Sequence, residues 1–258
     1  MELKLENLGC GYGHRKVVED FSCVIPSGKV FCLLGPNGVG KTTLFKTVLG
    51  FLSPLAGSVK VDEQDLAQLS TKDRARYLAY VPQAQFTPFA FTVRDVIMMG
   101  RTSRFGLFGR PAPTDRQAVQ EVIEQLSLEP LAKRQFTQLS GGERQLVMIA
   151  RALAQQASFL LMDEPASNLD FGNQLKVLKV IRSLAKRGFG VFLTTHFPDH
   201  VFQCGHYAAL MRSGQSFLTG ALDEVITSIN LTDTYGLPIE VIELGDIRIC
   251  RPKPEPKP

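Results

Sequence analysis

Lys29-Val30-Phe31-Cys32-Leu33-Leu34, followed at once by Gly35-Pro36-Asn37-Gly38-Val39-Gly40-Lys41-Thr42, is the stretch on which the fold turns. Its first part is an apolar run of strand length. From Lys41 to Leu52 the apolar positions recur at helical spacing. Between them lies G-x-x-x-x-G-K-[ST], a phosphate-cradling loop when it joins a strand to a helix. The glycines let backbone N–H groups wrap the phosphates, and the helix N-terminus adds its positive dipole end. Lys41 is placed to reach β- and γ-phosphates, and the Thr42 hydroxyl to ligate Mg²⁺. A glycine-rich turn alone would need neither the strand before it nor the helix after.

A second stretch, Leu139-Ser140-Gly141-Gly142-Glu143-Arg144-Gln145, also opens a helix, because Leu146, Ile149, Ala150 and Leu153 make an i, i+3, i+4, i+7 stripe. Ser140 and Glu143 have capping-box spacing. A cap does not explain Gly141 and Gly142, each of which costs a helix about 1 kcal/mol relative to alanine. Glycines in a first turn make sense if a phosphate must approach bare backbone. One chain then carries a phosphate cradle and its complement, too short to fold them face to face, which implies a dimer closing over nucleotide.

Leu139 to Gln145 resembles the signature motif of the ATP-binding cassette (ABC) ATPases, and the family's other motifs fall in order along nearly the whole chain. The resemblance implies a P-loop ABC-type α/β fold: a RecA-like mixed sheet with an antiparallel β edge and an all-helical signature subdomain. It implies ATP and Mg²⁺ as cofactors, with Gly35, Pro36, Asn37, Gly38, Val39, Gly40, Lys41, Thr42 and Thr43 around the phosphates. Phe159-Leu160-Leu161-Met162-Asp163-Glu164 resembles the Walker B strand with its catalytic glutamate. Gln83 stands at the Q-loop glutamine, Ser167-Asn168-Leu169-Asp170 resembles the D-loop, and His196 resembles the switch histidine. Tyr12 lies where the family often has an adenine-stacking aromatic. Lys41-Thr42-Thr43 replaces the commoner Lys-Ser-Thr and keeps a hydroxyl for the metal. Ala166 stands where threonine is common.

Several of these residues also read on their own terms. Four apolar residues ending in Asp163-Glu164 describe a buried strand delivering two carboxylates to its C-terminal edge, where ligands sit in open α/β sheets. Asp163 would hold Mg²⁺ and Glu164 would polarise the attacking water. Gln83 alone would be a surface amide, and His196 alone a structural histidine. After the strand Val191 to Thr195, a γ-phosphate sensor is the better reading of His196. Tyr12 reads equally as a half-buried strand-end tyrosine. His196, His200 and Cys204 are spaced like three metal ligands on one helix, but Pro198 belongs in a first turn and leaves His196 outside.

The chain has 258 residues, 44% apolar, with a net charge of +4 too mild and too mixed in sign to argue nucleic-acid binding. Five scattered cysteines without C-x-x-C fit a reducing cytosol. No signal-peptide pattern and no apolar run of about 18 residues occurs, so any membrane role is expected to be peripheral. Strand–helix alternation places residues 1–85 and 156–251 in one core lobe of a single ABC domain (1–251). Residues 86–155 read as a helical subdomain, with helices over Thr92–Met99, Asp115–Leu126 and Glu143–Leu153 and a loop over Phe105–Pro111. Residues 252–258 read as a disordered Pro/Lys tail.

Within the family, the 258 residues show no coiled coil between P-loop and signature, no second cassette, and no membrane or sizeable C-terminal regulatory domain, so a stand-alone cassette paired with separate membrane subunits is expected. The segments Phe89 to Arg101 and Leu131 to Phe136 resemble those of type II importers for iron complexes, haem, cobalamin and molybdate. The resemblance implies a head-to-tail homodimer with ATP at its interface. This pair would dock on transmembrane permease subunits at the cytoplasmic face of the cell membrane, served indirectly by a periplasmic or extracellular substrate-binding protein. The alternative is a soluble ABC ATPase acting as a scaffold, as in iron–sulfur cluster assembly. Phe86, Pro88, Phe89 and Phe91 form an aromatic-rich segment after Gln83, suited to docking a short permease helix.

Overall fold

The computed structural model describes residues 1–83, 90–105, 109–212, 216–245 and 247–253. Phe86, Pro88, Phe89, loop positions 106–108 and tail positions 254–258 lie outside the described residues. The chain opens with a hairpin of β1 (Glu2–Tyr12) and β2 (Arg15–Pro26), then β3 (Val30–Leu34), α1 (Lys41–Val48), β4 (Ala56–Val61) and β5 (Gln64–Asp65). Then come α2 (Thr71–Arg74), β6 (Leu78–Val81), α3 (Val93–Met98), α4 (Thr102–Phe105), α5 (Pro113–Gln125) and α6 (Gly141–Ala154). β7 (Phe159–Met162), α7 (Phe171–Lys186), β8 (Gly190–Thr195), α8 (Pro198–Cys204) and β9 (Tyr207–Met211) restore the alternation. β10 (Phe217–Ala221), α9 (Leu222–Val225), α10 (Ser228–Tyr235), β11 (Ile239–Leu244) and β12 (Ile247–Pro252) follow.

Two compact units divide these elements, residues 1–67 with 181–258 and residues 68–180. In the first, β2, β1, β4 and β5 form an antiparallel sheet in that order. β3 lies between β8 and β9, parallel to both, and β10 runs antiparallel on β9. Every residue of β3 and of β8 is buried. Strands covered on both faces must read as unbroken apolar runs, which is why Val30 to Leu34 shows no alternation. Phe192 of β8 meets the rings of Phe31 at 5.5 Å and Phe45 of α1 at 4.7 Å, fixing α1 over this sheet.

In the second unit β6 and β7 pair in parallel, Val81 opposite Met162. α3, α5 and α6 bury Val93, Ile97, Val119, Ile123, Val147 and Ile149. Thr92 caps α3 through a reciprocal box with Asp95, and Pro113 opens α5 at a position where its missing N–H costs nothing. The two segments that resemble importer sequences prove to be neighbours. Phe136 N donates to Phe91 O (2.8 Å), Val93 N to Arg134 O (3.0 Å) and Arg94 N to Ala132 O (3.1 Å).

The α/β class and antiparallel edge are as the sequence led us to expect, but two boundaries shift. β6 and β7 group with the helices, because they pair with each other and Gln155 Nε2 donates to Ala75 O and Leu78 O, both at 2.7 Å. The tail does not begin at 252: Pro252 closes β12 opposite Ile239, and Lys253 N donates to Pro238 O at 2.8 Å. A proline is tolerated there because an edge strand asks no inward N–H of it.

Gly100-Arg101 anchors the helical part. A side chain at Gly100 would run into the Arg151 carbonyl oxygen. The Arg101 guanidinium is buried, donating through Nε to Asp115 Oδ1 (2.9 Å) and through Nη1 to Ala154 O (2.8 Å) and Gln156 Oε1 (2.7 Å). Burial alone would push the Asp115 carboxyl up, but the Ala112 N–H and Arg101 hold it below the usual range. Removing one partner of a buried pair strands the other charge. Arg101→Ala is therefore expected to cost about 3–5 kcal/mol in denaturant unfolding, with Arg101→Ala/Asp115→Ala less destabilised than the sum of the single variants.

Candidate functional site

The phosphate loop leaves the C-terminal end of β3 and enters α1. Gly38 (φ 81°) and Gly40 (φ 115°) occupy backbone that L side chains avoid. A Cβ at Gly35 would sit 2.7 Å from Met211 O, and one at Gly40 2.8 Å from Val17 Cγ1. The loop is thus forced to be side-chain-free by backbone geometry and by packing together. Lys41 is buried, and its Nζ donates to Gly35 O (2.7 Å) and Pro36 O (2.9 Å), holding the ammonium within the loop's curve. No side chain caps α1, so its first N–H groups face the loop mouth as a polyphosphate requires. Thr42 is exposed and Thr43 buried, which favours Thr42 as the hydroxyl donor to a cation. Asn37 is exposed, with Pro36 and Val39 half-buried.

Leu34 pairs with Thr195, so Gly35 and His196 leave adjacent strand ends. His196 precedes α8, which starts at Pro198 as expected from the sequence. Its ring leans on Phe197 (4.0 Å between centroids), and Phe197 in turn on His200 (5.0 Å). His200 Nδ1 lies 3.2 Å from Thr195 Oγ1, and Cys204 Sγ donates to His200 O at 3.2 Å. These two residues are tied into packing. Burial, then the neighbouring His196, holds His200 below the ordinary histidine range. Tyr12 ends β1 half exposed, a position open to either of its readings.

In the other unit, β7 delivers Asp163, buried, and Glu164, half-buried. Glu164 adopts φ 46°, a left-handed conformation costly for a residue with a Cβ and concentrated at functional sites. Its Oε2 accepts from Ser167 Oγ at 3.0 Å, with Gln83 Nε2 at 3.5 Å. Gln83 therefore approaches Glu164, the residue that follows Asp163. Tyr80 was not anticipated. It is hydrogen-bonded to Asp163, and its phenol is pushed up to about 12 by burial, then by that carboxylate's charge and hydrogen bond. Only the β6–β7 register brings Tyr80 to the end of β7, a relation no local pattern in the sequence displays.

Ser140 caps α6 with Glu143, Ser140 N donating to Glu143 Oε2 (2.8 Å) and Glu143 N to Ser140 Oγ (3.3 Å). The two glycines behind it differ. A Cβ on Gly142 would fall into the Asn173 side chain, 2.5 Å from Oδ1 and 2.8 Å from Cβ. Gly142 thus has a packing reason to be glycine, beside the phosphate access expected from the sequence. Among the described residues, a Cβ at Gly141 would meet nothing nearer than Leu169 Cδ2 at 3.4 Å, an ordinary contact. Asp170 holds Asn173 in place, accepting from its backbone N (2.9 Å) and its Nδ2 (2.6 Å).

Comparison with known proteins points to one family. The family model described as ABC transporter matches residues 18–167. The chain is 36% identical over 241 residues to the iron(3+)-hydroxamate import ATP-binding protein FhuC of Bacillus subtilis, covering 93% of this chain and 90% of that one. It is 36% identical over 239 residues to the molybdate import ATP-binding protein MolC of Haemophilus influenzae, covering 92% and 89%. A solved structure described as a metal-chelate type ABC transporter in an inward-facing conformation superposes with TM-score 0.86 at 34% identity, covering 99% of this chain and 98% of that one.

The contact at Gly142 makes a sharp expectation. Gly142→Ala overpacks α6 against α7 and should cost about 1–3 kcal/mol in chemical unfolding. Asn173→Gly in the same chain should recover part of that loss, so the double variant is less destabilised than the sum of its parts.

Proposed function

Because this chain belongs to the ABC transporter family, as one of its ATP-binding and ATP-hydrolysing cassettes, we propose that two copies close head to tail over two ATP molecules. The pair would drive a separate membrane permease that imports a metal chelate or an oxyanion. The observation that carries the paired reading is the start of α6. There Gly142 answers to Asn173, whereas among the described residues a Cβ at Gly141 would meet only Leu169 Cδ2, at an ordinary 3.4 Å. A capped helix with an accessible bare turn is an anion site, and the same chain has a complete phosphate loop elsewhere, so each copy offers what the other needs.

In this reading Lys41 and the loop from Gly35 to Thr43, through the N–H groups of its residues other than Pro36, bind the β- and γ-phosphates. Ser140, Gly141 and Gly142 serve the γ-phosphate of the opposite copy, with Asp170 beside them at the dimer seam. Mg²⁺, when bound, would neutralise phosphate charge. Thr42, Asp163 and Gln83 would hold it, a set of hard oxygen donors suited to that ion. Glu164 takes a proton from the attacking water, His196 steadies the γ-phosphate, and Tyr12 stacks on adenine. Ser167 aims the Glu164 carboxylate, and Tyr80 aims that of Asp163.

Import is supported by relatives named for iron-hydroxamate and molybdate import. No helix among the described residues is long and apolar enough to cross a membrane, which fits a subunit held at the cytoplasmic face by its permease. Phe91, 39% exposed at the start of α3, is a candidate contact for that permease. A substrate-binding protein outside the membrane would complete the system.

Glu164→Gln should bind ATP and Mg²⁺ yet lose turnover by at least about 10²-fold, since the amide cannot accept the proton. With ATP it should sediment as a dimer. Turnover near wild type would remove Glu164 from the role. The shared site has its own measurement. Lys41→Ala and Ser140→Arg chains should each lose about 10²–10³ in rate, and mixing them should restore one intact site per heterodimer. Mixed dimers that form but stay inactive would mean that each chain works alone.

A further inference from the structure

The segment carrying His196 is held by a part of the chain far from it in sequence. β8 ends at Thr195, whose Oγ1 accepts the Phe197 N–H at 3.1 Å. On the other side of the same peptide group, His196 O accepts from the Tyr235 hydroxyl at 3.2 Å. The His196–Phe197 peptide is therefore pinned at both its N–H and its C=O. Tyr235 is the last residue of α10, which stops there because Gly236 adopts φ 67°, a left-handed cap. Burial, then Cys250, pushes the Tyr235 phenol well above its ordinary range, so it remains a donor.

α10 is itself firmly placed. Thr227 Oγ1 caps it through Asn230 N (3.2 Å), and Arg212 Nη2 donates to Asn230 Oδ1 (3.1 Å). Thr232 Oγ1 accepts from Ile239 N (3.0 Å) and Ser228 Oγ from Val241 N (2.9 Å), tying α10 to β11. β12 then returns to the same segment, where Cys250 N donates to Asp199 Oδ1 at 2.8 Å in the first turn of α8. Arg248 of β12 lies over the Phe202 ring of α8. The β11–β12 hairpin and α10 thus grip residues 196 to 199 at two points.

We propose that Tyr235 is a positioning residue for His196, and that α10 with the β11–β12 hairpin forms a clasp setting where that histidine stands relative to the phosphate loop. The proposal rests on His196 acting at the γ-phosphate. The imidazole hangs from that peptide through Cα and Cβ, so a shift of the peptide moves the point from which the ring reaches, and misplacing a catalytic contact by about 1 Å costs up to 10²-fold in rate. Loosening one hydrogen bond of the pair should cost less, because Thr195 still holds the N–H.

The test is ATP turnover by the full-length chain carrying Tyr235→Phe, which keeps the ring and removes only the donor. We expect kcat to fall about 3- to 10-fold, with KM for ATP and the thermal midpoint unchanged. His196→Ala should be far slower, and adding Tyr235→Phe to it should cost nothing more. Asp199→Ala should show the same kcat-only loss, with Asp199→Asn, which keeps an acceptor for Cys250 N, near wild type. This second pair decides the matter should Tyr235→Phe fold poorly. If His196→Ala is inactive while Tyr235→Phe and Asp199→Ala both turn over like wild type, the clasp is overturned and the histidine reading stands. Wild-type turnover by His196→Ala overturns both. An equal loss from Tyr235→Phe in the His196→Ala background overturns a role exerted through the histidine.

Discussion

A strand hydrogen-bonded in parallel on both sides and buried on both faces cannot carry chemistry along its length. β3 is such a strand, with no polar side chain in its five buried residues and with β8 and β9 alongside. Reactive groups must then gather where such strands end, at the carboxyl edge. Gly35 follows β3, His196 follows β8, and in the other unit Asp163 and Glu164 follow β7, whose four residues are all buried. Each of these elements is an apolar run that delivers a polar payload at its last step. The rest of the structure is arranged to hold those payloads still.

Left-handed backbone occurs beside two of these payloads. Glu164 stands at φ 46°, and Gly38 and Gly40 lie in the left-handed region. A residue with a Cβ in that conformation persists only when its surroundings over-determine it. For Glu164 those surroundings include the Ser167 hydroxyl and the Gln83 amide. The start of α6 separates two causes that look alike in sequence. Gly142 is required by a neighbouring helix, and Gly141 is not. A pair of adjacent glycines in a first turn can thus have one member whose missing side chain packing demands and one for which it does not.

Distant polar ties form the second level of support. Tyr80 with Asp163, Arg101 with Asp115 and Tyr235 with the His196 carbonyl each join elements that the chain order separates. Buried polar groups are costly unless paired, so each tie specifies one arrangement against its near alternatives. Arg101 shows the economy of this design. Its guanidinium meets a carboxylate, a helix-end carbonyl and an amide, fixing α5 and the end of α6 with one side chain.

By itself the sequence determined everything that depends on short-range spacing. The strand–loop–helix at Gly35 to Thr42, the capped helix at Ser140, the two carboxylates after Met162 and the start of α8 at Pro198 are all patterns of fewer than about ten residues. Backbone conformation and periodicity act over that range. It could not reveal why Gly142 is glycine, that Tyr80 reaches Asp163, or that Tyr235 holds the peptide of His196. Nor could it show that the stretches from Phe91 and from Arg134 are hydrogen-bonded to each other, or that Pro252 still belongs to a strand. Each of these is set by strand register or helix packing between residues far apart in the chain. Such contacts leave no periodic trace, because a single hydrogen bond or a single missing Cβ is satisfied by position in space, whatever the neighbours in sequence.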